Sequence, residues 1–153
     1  MDKNQITVLK RIIKNVDGRP ALKGIFYDNT GRACVCDGFT AIRFNLTGAL
    51  DLPVVQGIDL QPIYNQNIPD AHLIAPSKDE LKTIIKESRA RGEKMPLYKF
   101  NNGTYVNARY LLNILTILPD AQIFTSFKNP LTSFIYFIDG LNDAILCPVR
   151  YNH

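Results

Sequence analysis

Residues 105–150 read YVNARYLLNILTILPDAQIFTSFKNPLTSFIYFIDGLNDAILCPVR, and this stretch decides the fold. Leu111, Ile114, Leu115 and Leu118, with Tyr110 partly beside them, recur at helical spacing. The spacing predicts a helix over 108–118, capped by Asn107 and stopped at Pro119-Asp120. Three runs suited to strands follow, 121–127, 134–138 and 143–149. The turns between them are 128–133 and Asp139-Gly140. The unit is a helix leading into an antiparallel meander.

The same unit stands at the other end of the chain. In ITVLKRIIKNV (6–16), Ile6, Leu9, Ile13 and Val16 recur at helical spacing with Ile12 beside them. Thr7, Lys10, Arg11 and Lys14 share the opposite side, giving an amphipathic helix with a basic outer stripe. Asp17-Gly18 supplies its stop. Runs 21–27 and 33–36 flank the turn residues Asp28-Asn29-Thr30-Gly31. Asp37-Gly38 then leads into 39–45, where Ala41 and Arg43 alternate with Ile42 and Phe44 as in a half-buried strand.

Sliding the chain on itself aligns the two units. The turns at Asp37 and Asp139 are 102 residues apart, and the same offset pairs Leu9 with Leu111, Ile12 with Ile114, Ile13 with Leu115 and Val16 with Leu118. It also pairs Ala21 with Ile123, Leu22 with Phe124, Ile25 with Phe127, Val35 with Phe137 and Cys36 with Ile138. After the turn one extra residue enters, so that Ala41-Ile42 matches Ala144-Ile145. The expected architecture is a single α+β domain over 1–153, with halves at about 1–45 and 97–153. Its two helices lie on one side of two antiparallel sheets related by a pseudo-two-fold.

Between the halves, Pro53, Pro62, Pro69 and Pro76 punctuate 46–76 and argue against a helix or a central strand. An edge strand and a surface-hugging connection are expected there. Ser77 and Glu80 form a capping-box pattern for an additional helix over 77–91. Its inner stripe is Leu81, Ile84, Ile85 and Ser88. Lys78, Lys82, Lys86 and Arg89 make a row on another side. Asp79, Glu80, Glu87 and Glu93 offset its charge, so a solvated face is expected. Runs 97–100 and 104–106 flank Asn101-Asn102-Gly103 as a hairpin.

Composition sets the remaining bounds. At 46% apolar and 21% charged, 153 residues suit one ordinary globular domain. Net charge +4 permits a nucleic-acid partner. No run reaches the ~18 apolar residues that span a bilayer, and the opening MDKNQITVLKRIIKN lacks a signal-peptide core. A cytoplasmic protein without membrane contact is therefore expected. Cys34 and Cys36 share one strand face, Cys147 stands apart, and His72 and His153 have no ligand spacing to the pair. Buried apolar thiols are expected, with no metal, no cofactor and no disulfide framework. There is no Ser/His/Asp or Cys/His set and no glycine-rich phosphate loop, so no catalytic residue is assigned and a nonenzymatic role is expected.

Three patches bear a resemblance to one family. The final stretch, ending AILCPVR, resembles the end of a bacterial DNA sliding clamp (the beta subunit of DNA polymerase III), where a capped helix leads through three strands to a Met-Pro-Met-Arg-like terminus. VCDGFTA (35–41) resembles that family's Ala-Thr-Asp-Gly-His-Arg-Leu turn, and NIPDAHLIAP (67–76) its Phe-Pro-Asp-Tyr-x-x-Val-Ile-Pro segment. The resemblance implies a clamp-like domain that encircles duplex DNA without sequence specificity and tethers a polymerase, in the replication of a bacterium, phage or mobile element. Family chains hold three such domains. This chain holds one, so an equivalent ring would take six copies and implies a homo-oligomer.

On that resemblance the helices face DNA, which nominates Lys10, Arg11, Lys14 and Arg109. The family's peptide pocket maps onto Ile145, Leu146, Cys147, Pro148, Val149 and Arg150, with Phe39 and Thr40 in place of its His-Arg. That pocket would receive a polymerase or another clamp-binding protein. The alternative expectation is a clamp-fold module that binds a protein partner and not DNA.

Overall fold

The computed structural model describes residues 1–46, 48, 50–65, 71–125 and 133–150. The parts of the 67–76 and 128–133 readings at 67–70 and 128–132, together with Phe127 and His153, lie outside the described residues. Helix α1 (Lys3–Lys14) starts earlier than its apolar pattern because Asp2 and Gln5 cap each other. Asp2 accepts from the Gln5 N–H at 2.8 Å, and the Gln5 side chain accepts from the Asp2 N–H at 2.9 Å. The apolar stripe Val8, Leu9, Ile12 and Ile13 is buried.

Strands β1 (Phe26–Tyr27), β2 (Ala33–Cys36) and β3 (Thr40–Phe44) follow. The short helix α2 (Gln61–Asn65) and β4 (Ala71–Leu73) come next, then α3 (Lys78–Ala90) and the hairpin β5 (Leu97–Lys99) and β6 (Tyr105–Asn107). The chain closes with α4 (Ala108–Ile117), β7 (Gln122–Thr125), β8 (Ile135–Asp139) and β9 (Asn142–Leu146). Ser77 and Asn107 cap α3 and α4 as expected, accepting from the Glu80 and Arg109 N–H groups. The fold is α+β.

One correction concerns the sheets. The two meanders do not form separate sheets. They merge into one seven-stranded antiparallel sheet, ordered β1-β2-β3-β9-β8-β7-β4, because β3 pairs with β9. Ile42 pairs with Ala144 across that seam. The hairpin pairs Val35–Ile42 and Phe137–Ala144 are also equivalent, so the offset stays at 102 through both strands. The inserted residue after the turn is therefore wrong, and Ile42 matches Ala144. The pseudo-two-fold axis passes through the Ile42–Ala144 pair. On the helix side it passes between Arg11 and Asn113, also 102 apart, where Arg11 Nη1 donates to Asn113 Oδ1 at 3.3 Å. Helices α1 and α4 run antiparallel, since Gln5 Nε2 reaches the Ile117 carbonyl at the far end.

A second correction concerns the first strand. The expected run 21–27 begins instead with a single 3-10 turn, Pro20–Leu22, and only Phe26–Tyr27 pairs with β2. Phe26 lies opposite Cys34 and Phe124 opposite Tyr136, so Phe26 matches Phe124. The sequence pairings Ala21–Ile123 and Leu22–Phe124 are therefore displaced by four residues. The cause is the connection between the first two strands, which is four residues shorter in the N-terminal half than in the C-terminal half.

Both faces of the sheet are covered. On one, α1 and α4 pack Leu9, Ile12, Leu111 and Ile114 against Val35, Ile42, Phe137 and Ala144. On the other, Leu60 and the half-buried Val55, Ile63 and Tyr64 lie over Phe26, Cys34, Cys36 and Ile145. The connecting segment clings to β1: Ile25 N–H donates to the Pro53 carbonyl at 2.7 Å and Val55 N–H to the Ile25 carbonyl at 2.8 Å. Gly57 holds φ +69°, and a side chain there would collide with the Phe26 ring. Helix α2 forms despite Pro62, which sits in its first turn where no N–H is required. With both faces covered, β3 is buried at every position, Arg43 included, so it is not the half-buried strand its alternation predicts.

Candidate functional site

Two surfaces hold five of the nominated residues, Arg11 on one and Phe39, Thr40, Ile145 and Cys147 on the other. The first is a groove in the helix layer. Helix α3 packs against α4 and β5. Its N-terminal half faces α1 across a groove of about 310 Å³. Asn4, Thr7, Val8 and Arg11 form one wall, Lys78 and Lys82 the other, and Leu112, Asn113 and Thr116 the floor. Lys10 and Lys14 are exposed on α1 and lie outside the groove. Arg109 is half-buried at the start of α4, with its guanidinium on the Lys94 carbonyl at 3.5 Å. The groove thus joins Arg11 to two lysines whose sequence pattern predicts a solvated face. Neighbouring acids on α3 hide them, because charge totals along a helix say nothing of which row meets a partner helix.

The second surface lies at the sheet end. Phe39, Thr40, Ile145 and Cys147, together with Cys36, Ala41, Ile63 and Phe134, line an apolar cavity of about 90 Å³. Its outer wall is Phe39, 57% exposed and stacked on Tyr110 with ring centroids 5.9 Å apart. Asp37 holds this turn, accepting from the Phe39 N–H at 2.8 Å and the Thr40 N–H at 2.7 Å. Burial pushes the Asp37 carboxyl above its ordinary range, and the two amides offset only part of that. Burial likewise raises the thiols of Cys36 and Cys147, and pushes Cys34 up to about 12.

The C-terminal residues of this set divide. Leu146 is 0% exposed and points to the helix-side core, so it lines no surface. Pro148 and Val149 are half-buried and Arg150 is exposed. Cys147 N–H donates to the Phe39 carbonyl at 2.9 Å and Val149 N–H to the Tyr105 carbonyl at 2.8 Å, so this tail ties the large sheet to the small one.

Beyond the cavity, the outer sheet face carries an ion pair. Arg43 Nε and Nη2 donate to both Asp143 oxygens at 2.7 and 2.6 Å, and the guanidinium lies 3.5 Å from the centre of the Tyr64 ring. Burial would lower the Arg43 pKa, but the bidentate bond to Asp143 raises it above its ordinary value. Among the described residues no three His, Cys, Asp or Glu side chains stand together to hold a metal ion, and no helix is long and apolar enough to cross a membrane. Comparisons of the chain with protein-family models, with curated proteins and with solved structures find no match.

Proposed function

We propose that this chain is a nonenzymatic, duplex-DNA-associated protein of sliding-clamp-like architecture that tethers a polymerase or similar partner and works as a homo-oligomer. One observation carries the reading. Two antiparallel helices flank a pseudo-two-fold on one face of the sheet, and the outward side of α1 exposes Lys10, Arg11 and Lys14. Exposed cations on a rigid helix suit contacts to phosphates, which are electrostatic and indifferent to sequence. A thin cationic surface on one domain binds weakly, and repetition in an oligomer multiplies it. The test is molar mass in solution with and without duplex DNA at low salt. Oligomers that retain DNA and release it as salt rises are expected. A monomer with no DNA retention sinks the reading.

The apolar cavity beside exposed Phe39 favours a second reading, a module that binds a protein partner and not DNA. Phe39→Ala removes the cavity's outer wall without entering the core. Under this reading it abolishes co-purification of a bound polymerase while leaving the fold intact, and an undiminished yield counts against it.

A further inference from the structure

We infer that the groove between α1 and α3 seats the phosphodiester backbone of one nucleic-acid strand, with α3 supplying the second cationic wall. The inference rests on the DNA reading above and adds an anchor that α1 alone does not provide. Arg11 stands on one wall and Lys78 and Lys82 on the other. Among the described residues no carboxylate lines the groove, and Asp79 and Glu80 of α3 lie outside it. An anion entering there meets three cations and no carboxylate in the lining.

The floor is polar and prearranged. Asn113 is only 5% exposed, and its side-chain oxygen accepts from Arg11 at 3.3 Å. That bond holds the guanidinium at the groove, with further N–H donors available for a phosphate oxygen. Lys78 and Lys82 are one helical turn apart, a rise of about 6 Å, so their ammonium groups serve successive points along an extended backbone. A volume of about 310 Å³ is at the lower end for small-ligand sites, which suits a segment of strand rather than a duplex.

The pseudo-symmetry points the same way. The α4 positions equivalent to Lys10, Arg11 and Lys14 are Leu112, Asn113 and Thr116, all uncharged and all in the groove floor. Helix α3 covers them and carries lysines to the opposite wall. The cationic row missing from α4 is restored one helix further out.

The test is the salt dependence of duplex binding by the full chain. Three double variants are compared: Lys78→Ala/Lys82→Ala in the groove, Lys10→Ala/Lys14→Ala on α1, and Lys86→Ala/Arg89→Ala elsewhere on α3. Each removes two exposed charges, and circular dichroism checks the fold. The groove variant is expected to weaken binding about equally for all sequences and to flatten the slope of log K against log salt by about 1 for each phosphate no longer neutralised. The Lys86/Arg89 variant is expected to change it less. Equal losses in these two α3 variants mean bulk charge, and overturn the groove. Full affinity in the groove variant, with loss only in the α1 variant, also overturns it and leaves the DNA reading standing. No duplex binding by the parent chain at low salt removes both. Inorganic phosphate is the last arm: if it binds the groove in amide-shift titrations while duplex does not shift the same amides, the site takes free anions and the strand assignment falls.

Discussion

Where α1 carries Lys10, Arg11 and Lys14, α4 carries Leu112, Asn113 and Thr116 at the equivalent places. The outer sheet face is just as unequal. The axis through Ile42–Ala144 maps the Arg43–Asp143 pair onto Ala41–Ile145, so an ion pair on one side answers an apolar pair on the other. The apolar pair lines the cavity beneath Phe39, and the ion pair packs on Tyr64. Core positions behave differently: Leu9 and Leu111, like Ile12 and Ile114, are buried alike in both halves. A duplicated frame keeps what packing requires and diverges where each half meets different neighbours, α3 on one face and α2 on the other.

The largest effect comes from imposing symmetry on the seam. Asp143→Ala alone strands the buried Arg43 guanidinium and is expected to cost about 3–5 kcal/mol in denaturant unfolding, whereas Arg43→Ile is expected to cost less, because the partly exposed Asp143 keeps Arg32 Nη1 at 3.4 Å. The double variant recreates the apolar pair of the other side and is expected to recover most of that loss, because an ion pair replaced as a unit is often close to neutral. Additive losses break the equivalence of the two sides. Next, Leu9→Ala and Leu111→Ala should each cost about 2–5 kcal/mol and match within about 1 kcal/mol, as both side chains are fully buried at equivalent positions. A large mismatch means that one helix carries the core.

The smallest effect concerns Asp37, whose carboxyl is held above its ordinary range by burial. A carboxyl raised in the folded state favours folding while protonated, and that contribution is lost as pH rises through its folded value. Asn keeps the oxygen that accepts from Phe39 and Thr40. Asp37→Asn should therefore gain in melting temperature relative to the parent between mildly acidic and neutral pH. A relative gain that grows instead toward low pH reverses the sign and refutes the assignment.

Much of this frame was legible in local pattern. The stripes of α1 and α4, the turns at Asp37 and Asp139 and the Asn102-Gly103 hairpin follow from spacing and turn chemistry within a dozen residues. What the sequence hid depends on distant partners. Arg43 looks solvent-facing until Asp143, a hundred residues on, lies opposite it. The four-residue displacement of β1 came from unequal connections, which a gapless alignment cannot absorb. Helix α2 stayed hidden because Pro62 reads as a breaker, although a first turn tolerates it. Of the site residues, Phe39, Thr40, Ile145 and Cys147 do come together at the cavity, while Leu146 turns inward because strand side chains alternate.

The β3–β9 seam also sets a clock on biosynthesis. Strand β3 ends at Phe44, and the strand that closes its open edge begins at Asn142. At about 5–20 residues per second, a ribosome takes on the order of 5–20 s to supply it. An N-terminal meander that forms in that interval would present Thr40–Phe44 as an unpaired edge, the kind of template on which nascent chains pair with one another. Slow or stalled translation between these two points should thus expose the chain to chaperones and aggregation more than any equal delay after Leu146.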